Sequence, residues 1–202
     1  FRSGMGMHYT SVPNIMKVIE PLFLDELYDE LKKSFDNKTK LQHLLNRLAN
    51  IKIFDPACGS GNFLIIAYKK LRELETSIIK RIDELSKERS FAFSSIKLTQ
   101  FYGIEIKDFA HEMAILSLWL AEHQMNLYFD EKLEGFGKSE PILPLKQAGN
   151  IVAGNAARKN WEEVCPKNEG DEIYIIGNPP YLGSRNQDAE QKADRKSTRL
   201  NS

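Results

Sequence analysis

Apolar positions in the first fifty residues recur three and four apart: Ile15, Val18, Ile19, Leu22, Leu24, Leu27 and Leu31, then Leu41, Leu44, Leu45 and Leu48, up to Asn50. That spacing places each set on one face of a helix. Pro13, shortly after Ser11, marks a helix start, and Pro21 interrupts the first apolar face. The period then changes. Ile51, Ile53 and Phe54 read as a strand that stops at Asp55-Pro56, where proline forbids further central pairing. After Gly59-Ser60-Gly61 a long amphipathic helix is predicted from Asn62, burying Phe63, Ile66, Ala67, Leu71, Leu74, Ile78, Ile82 and Leu85. Lys69 with Glu73 and Lys80 with Glu84 are spaced to pair along its solvated face.

Phe101, Tyr102, Ile104 and Ile106 mark a second strand. Asp108 can cap a helix through Met113, Leu116, Leu118, Trp119 and Leu120, which is apolar nearly all round and expected to be buried. A Gly/Pro-rich connection leads to a third strand at Ile151-Val152-Ala153, and Ile173 to Ile176 form a fourth ending at Gly177. Strands alternating with helices argue for an α/β fold with a mainly parallel sheet and helices on both faces, preceded by a helical segment over residues 1–50. The sheet domain is expected over 51–190 and a disordered tail over 191–202. Within that tail, DRKSTRLNS at 194–202 resembles the translation of a sequencing-library adapter and shows no apolar periodicity. Phe1 in place of a start methionine, and a sheet expected to be incomplete at the C-terminus, read as a piece of a longer protein.

With 202 residues, 42% hydrophobic and 28% charged, the composition is that of a soluble globular domain with one sizeable core. Lys+Arg and Asp+Glu balance at 28 each, so any polyanion must be held by a local patch or by another domain. Two cysteines, with no signal peptide and no long apolar stretch, fit a reducing cytoplasm and no membrane. No CxxC or Cys/His cluster suggests a metal, and His111 and His123 are three turns apart on one helix. Cys58 reads as a small turn residue and Trp119 as core.

Chemistry gathers where strands end. A strand feeding Gly59-Ser60-Gly61 and then a helix aims backbone amides at a ligand, and glycine lets the backbone approach it. Glu105, at the end of the second strand, is placed to hold a ribose diol. The third glycine of a dinucleotide fingerprint is replaced by Leu64, and the acid lies roughly twice the usual 20 residues past the glycines. A cofactor with a carboxylate and a ribose but no phosphate fits better, as in S-adenosylmethionine. Asn178-Pro179-Pro180-Tyr181 closes the fourth strand. Its prolines leave their carbonyls free, so the Asn178 amide oxygen and the Pro179 carbonyl can hold the hydrogens of a planar amino group while Tyr181 stacks on its ring.

DPACGSGNF at Asp55 to Phe63 followed by NPPY at Asn178 to Tyr181 resembles the class I S-adenosylmethionine-dependent DNA adenine-N6 methyltransferases. HYTSVPNIM from His8, FYGIEIKDFAHEMAILSLWLAEHQMN and IVAGNAARKNW resemble further motifs of that family, nearest to the methyltransferase region of MmeI-like bifunctional restriction-modification enzymes. The resemblance implies a Rossmann-like methyltransferase fold. It also implies Tyr9 and Thr10 near the methionine end of the cofactor, with Asp55, Ala57, Gly59 and Gly61 around it. Glu105 would hold the ribose, Ile106 would pack on the adenine, and Asn155 stands where many relatives have an aspartate for the adenine amino group. Asn178, Pro179 and Tyr181 keep the catalytic roles derived above, and Pro180 shapes the turn. Double-stranded DNA would be read by a target-recognition domain outside this chain, and a fused nuclease would precede it. Asp25, Glu30 and Lys32 spell a nuclease-like D…ExK, but on a helical, solvated face. Two other readings stay open: methylation of a protein glutamine amide or of guanine-N2 in ribosomal RNA, and a non-catalytic scaffold with a vestigial pocket.

Overall fold

The computed structural model describes residues 10–86, 93–133 and 149–178. Helix α1 (Val12–Ile19) starts behind Ser11, whose carbonyl accepts from the amides of Asn14 and Ile15, and it buries Ile15 and Ile19. Pro21 does not break the chain's helical course. It sits in a π-helical turn, Glu20–Leu24, that swings Phe23 and Leu24 inward before α2 (Asp25–Ser34). Helix α3 (Lys38–Asn50) is capped by Asn37, whose side chain accepts from the Lys40 amide. Strand β1 (Ile51–Asp55), helix α4 (Asn62–Leu85), strand β2 (Phe101–Glu105) and helix α5 (Asp108–Lys132) follow. Strand β3 (Asn150–Ala153), the short α6 (Trp161–Val164) and strand β4 (Glu172–Ile175) complete the described elements.

The four strands form one parallel sheet in the order β3-β2-β1-β4. Every residue of β1 and β2 is buried, as a parallel sheet covered on both faces requires. Ile51, Ile53 and Phe101 face the long helices, against Leu64, Tyr68 and Leu71 of α4 and Leu118 of α5. Phe54, Tyr102 and Ile104 face the other way, against Val164, Cys165 and Ile173. The chain builds outward from β1 to β3 and then returns to the far side of β1 for β4, so a topological switch point lies between β1 and β4.

Polar groups lock this frame. The Gln100 amide donates to the carbonyls of Leu48, Ala49 and Ile51, clasping the end of α3 to the start of β1, and its oxygen accepts from the Lys97 amide. The Glu75 carboxylate, wholly buried, accepts from Ser94, Ser95 and Ile96 just ahead of β2. Arg47 holds Glu172 of β4 with two hydrogen bonds and reaches Glu26 and Glu30 of α2.

Several expectations change. Helix α5 is not buried all round: Leu116, Leu120 and Leu127 are exposed, because the helix meets the sheet and α4 along its Ala110, Ala114, Leu118, Ala121 and Met125 face. Asp108 is not its cap. It lies in the first turn, where its charge suits the helix dipole, and Lys107 precedes it without a side-chain cap bond. The expected pairs on α4 form differently: Lys69 donates to Gln124 of α5, while Glu73 pairs with Lys70 and Glu84 with Arg81. In the D…ExK segment, Glu30 is taken by Arg47 and Lys32 by Asp29. No helix among the described residues is long and apolar enough to cross a membrane.

Gln100→Met keeps the side chain's length but leaves buried carbonyls without their donor. It is expected to lower stability by about 1–3 kcal/mol in a denaturant titration; an unchanged midpoint and slope would show that the clasp adds nothing.

Candidate active site

The turn after β1 takes its shape from backbone bonds. Asp55 accepts from the Ala57 amide through Oδ1 at 3.0 Å, the Cys58 amide donates to the Ile104 carbonyl of β2, and the Gly61 amide closes back on the Cys58 carbonyl. Gly61 has φ +83°, and a Cβ there would lie 3.3 Å from Ala114 Cβ, so this glycine lets the start of α4 pack on α5.

Glu105 reaches into the same turn. Its Oε2 accepts from the Gly59 amide at 2.9 Å and its Oε1 from the Lys107 amide at 2.8 Å. The two bonds fix the carboxylate's plane, and each oxygen keeps a lone pair for a ligand.

On the other side of β1, the Ile176 amide extends the β4 pairing to the Phe54 carbonyl and buries Ile176. Gly177 follows at φ +151°, so close over Asp55 that a Cβ would stand 2.5 Å from its Oδ1. Asn178 comes next, and its Nδ2 donates to Thr10 Oγ1 at 3.5 Å.

These groups surround one cavity of about 320 Å³ at the carboxyl ends of β1, β2 and β4, within the size range of small-molecule sites. Of the residues expected from sequence, Thr10, Asp55, Ala57, Gly59, Glu105, Ile106, Asn155 and Asn178 line it. Gly61 shapes the turn without lining the cavity. Tyr9, Pro179, Pro180 and Tyr181 lie outside the described residues. Asn155 accepts from the Ala157 amide through Oδ1, which holds its own turn. Ile106 is largely exposed at the cavity wall, a flat apolar surface available to a ring.

Sequence reasoning passed over Ser60, Asn62, Phe63, Lys107, Ala110, Gly154 and Ala156, which also line the cavity. Most adjoin residues already singled out, and that adjacency was the available signal. The strand-end position of Gly177, directly before Asn178, gives no local sign of its close approach to Asp55.

The cavity is electrically uneven. The N-terminus of α4, with no acidic residue in its first turn, offers partial positive charge, and Asp55 and Glu105 supply carboxylates. Burial, with the Glu105 carboxylate adding to it and the Ala57 amide opposing, pushes Asp55 up to about 7. Burial and the same two acids push the Cys58 thiol well above its ordinary value, and burial raises Cys165 too. Both sulfurs therefore stay protonated at neutral pH and are poor nucleophiles. The arrangement suits a small zwitterion: an anionic group at the helix terminus, a cationic group beside Asp55 and a diol at Glu105.

Two expectations follow. Because Asp55 titrates near 7 in the fold against an ordinary 3.8, the folded state holds the proton more tightly. This contribution to stability is complete below about pH 4 and is lost as pH rises toward 7. Ligand-free Asp55→Asn should therefore gain on the parent chain across that window, by several degrees in melting temperature at pH 8; parallel melting curves from pH 5 to 8 would refute it. Gly177→Ala should cost about 1–3 kcal/mol, more than Gly170→Ala, whose φ is +86° with nothing within 4 Å of the new Cβ. Denaturant titration of both compares clash plus strain with strain alone.

Comparisons with known proteins meet this geometry. DNA methyltransferase A of Bacillus subtilis (strain 168) is 58% identical over 193 residues, which are 96% of this chain and 22% of that protein. A type II restriction enzyme and methyltransferase of Escherichia coli is 29% identical over 157 residues, covering 68% of this chain and 15% of the relative. The solved structure of the type IIL restriction-modification enzyme MmeI in complex with DNA superposes with a TM-score of 0.81 at 39% identity, over 94% of this chain and 25% of that one. The chain thus spans about a quarter or less of the length of these relatives. Residues 31–201 match the family described as the MmeI DNA-methyltransferase domain, and the chain belongs to that family.

Proposed function

We propose that this chain is the cofactor-binding and catalytic part of a site-specific DNA methyltransferase acting on adenine N6, with S-adenosylmethionine as donor, within a restriction-modification system of a bacterial or archaeal cytoplasm. The observation that carries the reading is the meeting of Asp55, Glu105 and Asn178 around one cavity at the switch point of the sheet. Family membership supports the methyltransferase chemistry.

The residues fit the donor. The first amides of α4 and the Thr10 hydroxyl would take its carboxylate, Asp55 its ammonium, Glu105 its ribose diol and Ile106 its adenine face, with Asn155 at the ring's polar edge. Ala57, Gly59 and Gly61 keep the turn in shape, and Tyr9 is assigned beside Thr10. The bound donor supplies a methyl group already activated on a sulfonium, so no general base is needed before transfer.

The chain's own task is to hold an amine. An amino group on an aromatic ring has a delocalised lone pair, and the Asn178 oxygen with the Pro179 carbonyl would accept its hydrogens and favour a pyramidal nitrogen. Tyr181 would stack on the base, and Pro180 keeps that turn rigid. In duplex DNA the adenine must leave the stack, at a cost of a few kcal/mol. Reading the flanking sequence falls to a target-recognition segment outside this chain, and cleavage to a fused nuclease.

Expression of the complete gene in a methylation-deficient host, followed by mass spectrometry of the DNA nucleosides, tests the proposal. N6-methyladenine is expected, and Asn178→Ala should abolish it while S-adenosylmethionine still binds. Unmethylated DNA with intact cofactor binding would move the acceptor to RNA or protein, and loss of binding as well would leave the scaffold reading.

A further inference from the structure

An amide side chain has two ends, and only one helps this reaction. If Asn178 presents its oxygen to the substrate amine, it accepts a hydrogen; rotated by half a turn, it presents two hydrogens to the amine's own hydrogens. Something must choose between the orientations. Among the described residues, the group that takes the Nδ2 end is Thr10 Oγ1, at 3.5 Å, although 168 positions separate the two residues. Both line the cavity.

We propose that Thr10 is a positioning residue for methyl transfer: its hydroxyl accepts from Asn178 Nδ2 and so leaves the Asn178 oxygen as the end that meets the substrate amine. This rests on the methyltransferase reading. Both partners stand on firm ground. Thr10 directly precedes Ser11, whose carbonyl starts α1, and α1 is seated in the core through Ile15 and Ile19, which are 1% and 0% exposed. Asn178 follows Gly177 and the buried Ile176, whose amide is bonded to β1. The bond is long and exposed, so its contribution to stability is small; its effect is directional. A hydroxyl has one proton and two lone pairs and could also donate to an amide oxygen, so the choice depends on where the proton goes: with it given to an anionic group in the cavity, Thr10 can only accept, and it accepts from Nδ2. The amide and the cofactor end of the site therefore share one hydroxyl.

The test uses the complete gene product, unmethylated genomic DNA and radiolabelled S-adenosylmethionine, with cofactor affinity measured separately so that rates are compared at saturation. Thr10→Val, which keeps shape but loses the acceptor, should slow single-turnover transfer at least tenfold at saturating cofactor. Thr10→Ser should stay within threefold of the parent. Thr10→Ala is read alongside, so that a packing defect of valine does not decide the result. In the Asn178→Asp background, whose two side-chain oxygens need no orienting, Thr10→Val should slow transfer no further.

Parent-like rates for Thr10→Val and Thr10→Ala at saturation, with only cofactor affinity reduced, would reduce Thr10 to a cofactor contact and overturn the proposal. Multiplicative effects with Asn178→Asp would overturn it as well. A parent protein that binds S-adenosylmethionine but transfers no methyl group to DNA would instead sink the methyltransferase reading, and the proposal with it.

Discussion

Strand β1 carries parallel ladders on both edges, and each group of the site reaches its place through that pairing. The β2 ladder sets Asp55 opposite Gly103, so Glu105 projects past the end of β1 and bonds back to the Gly59 amide. The β4 ladder sets Phe54 opposite Ile175, and the Ile176 amide adds one more bond to it before the chain turns at Gly177. A slip of one residue in either ladder would exchange the two faces of the strand and move these groups away from the cavity. The clasp of Gln100 at the start of β1 and the grip of Arg47 on Glu172 of β4 both act at the far end of the sheet from the cavity. Register is thus secured where no ligand interferes.

The site itself works against the fold's stability. A carboxylate as enclosed as Asp55 resists ionisation, and Gly177 passes over it at a distance that excludes any side chain. Backbone amides from Ala57, Gly59 and Lys107 offset part of this strain by satisfying the two acids. A cation beside Asp55 would favour its ionised form. Polarity built up ahead of the ligand is a common trade of stability for binding.

Much of the fold was legible from local pattern. The helix predicted from Asn62, with Leu85 on its buried face, spans Asn62–Leu85, and the strand predicted to stop at Asp55-Pro56 ends at Asp55. Alternation and helical spacing are properties of neighbours in the chain, and proline and glycine act on their own backbone. The same local logic put Asp55, Gly59, Glu105 and Asn178 at strand ends, which in a parallel sheet face one side. Where local pattern misled, a partner distant in sequence decided. An apolar surface on α5 looked like burial all round, yet the sheet and α4 cover only the face that carries Ala110, Ala114, Leu118, Ala121 and Met125. Lys69 preferred Gln124 on another helix to Glu73 on its own.

The sequence alone therefore determined the order of the strands and long helices, though not the short α6 between β3 and β4, together with the parallel α/β class and the chemistry available at the strand ends, because each depends on short-range periodicity and residue type. The tertiary structure decided which glycine lines the cavity and which serves packing. It showed Gly61 against Ala114, Gly177 against Asp55 and the Asn178 amide bonded to Thr10. Those contacts join residues far apart in the chain, and no local spacing encodes the distance at which two packed segments come to rest.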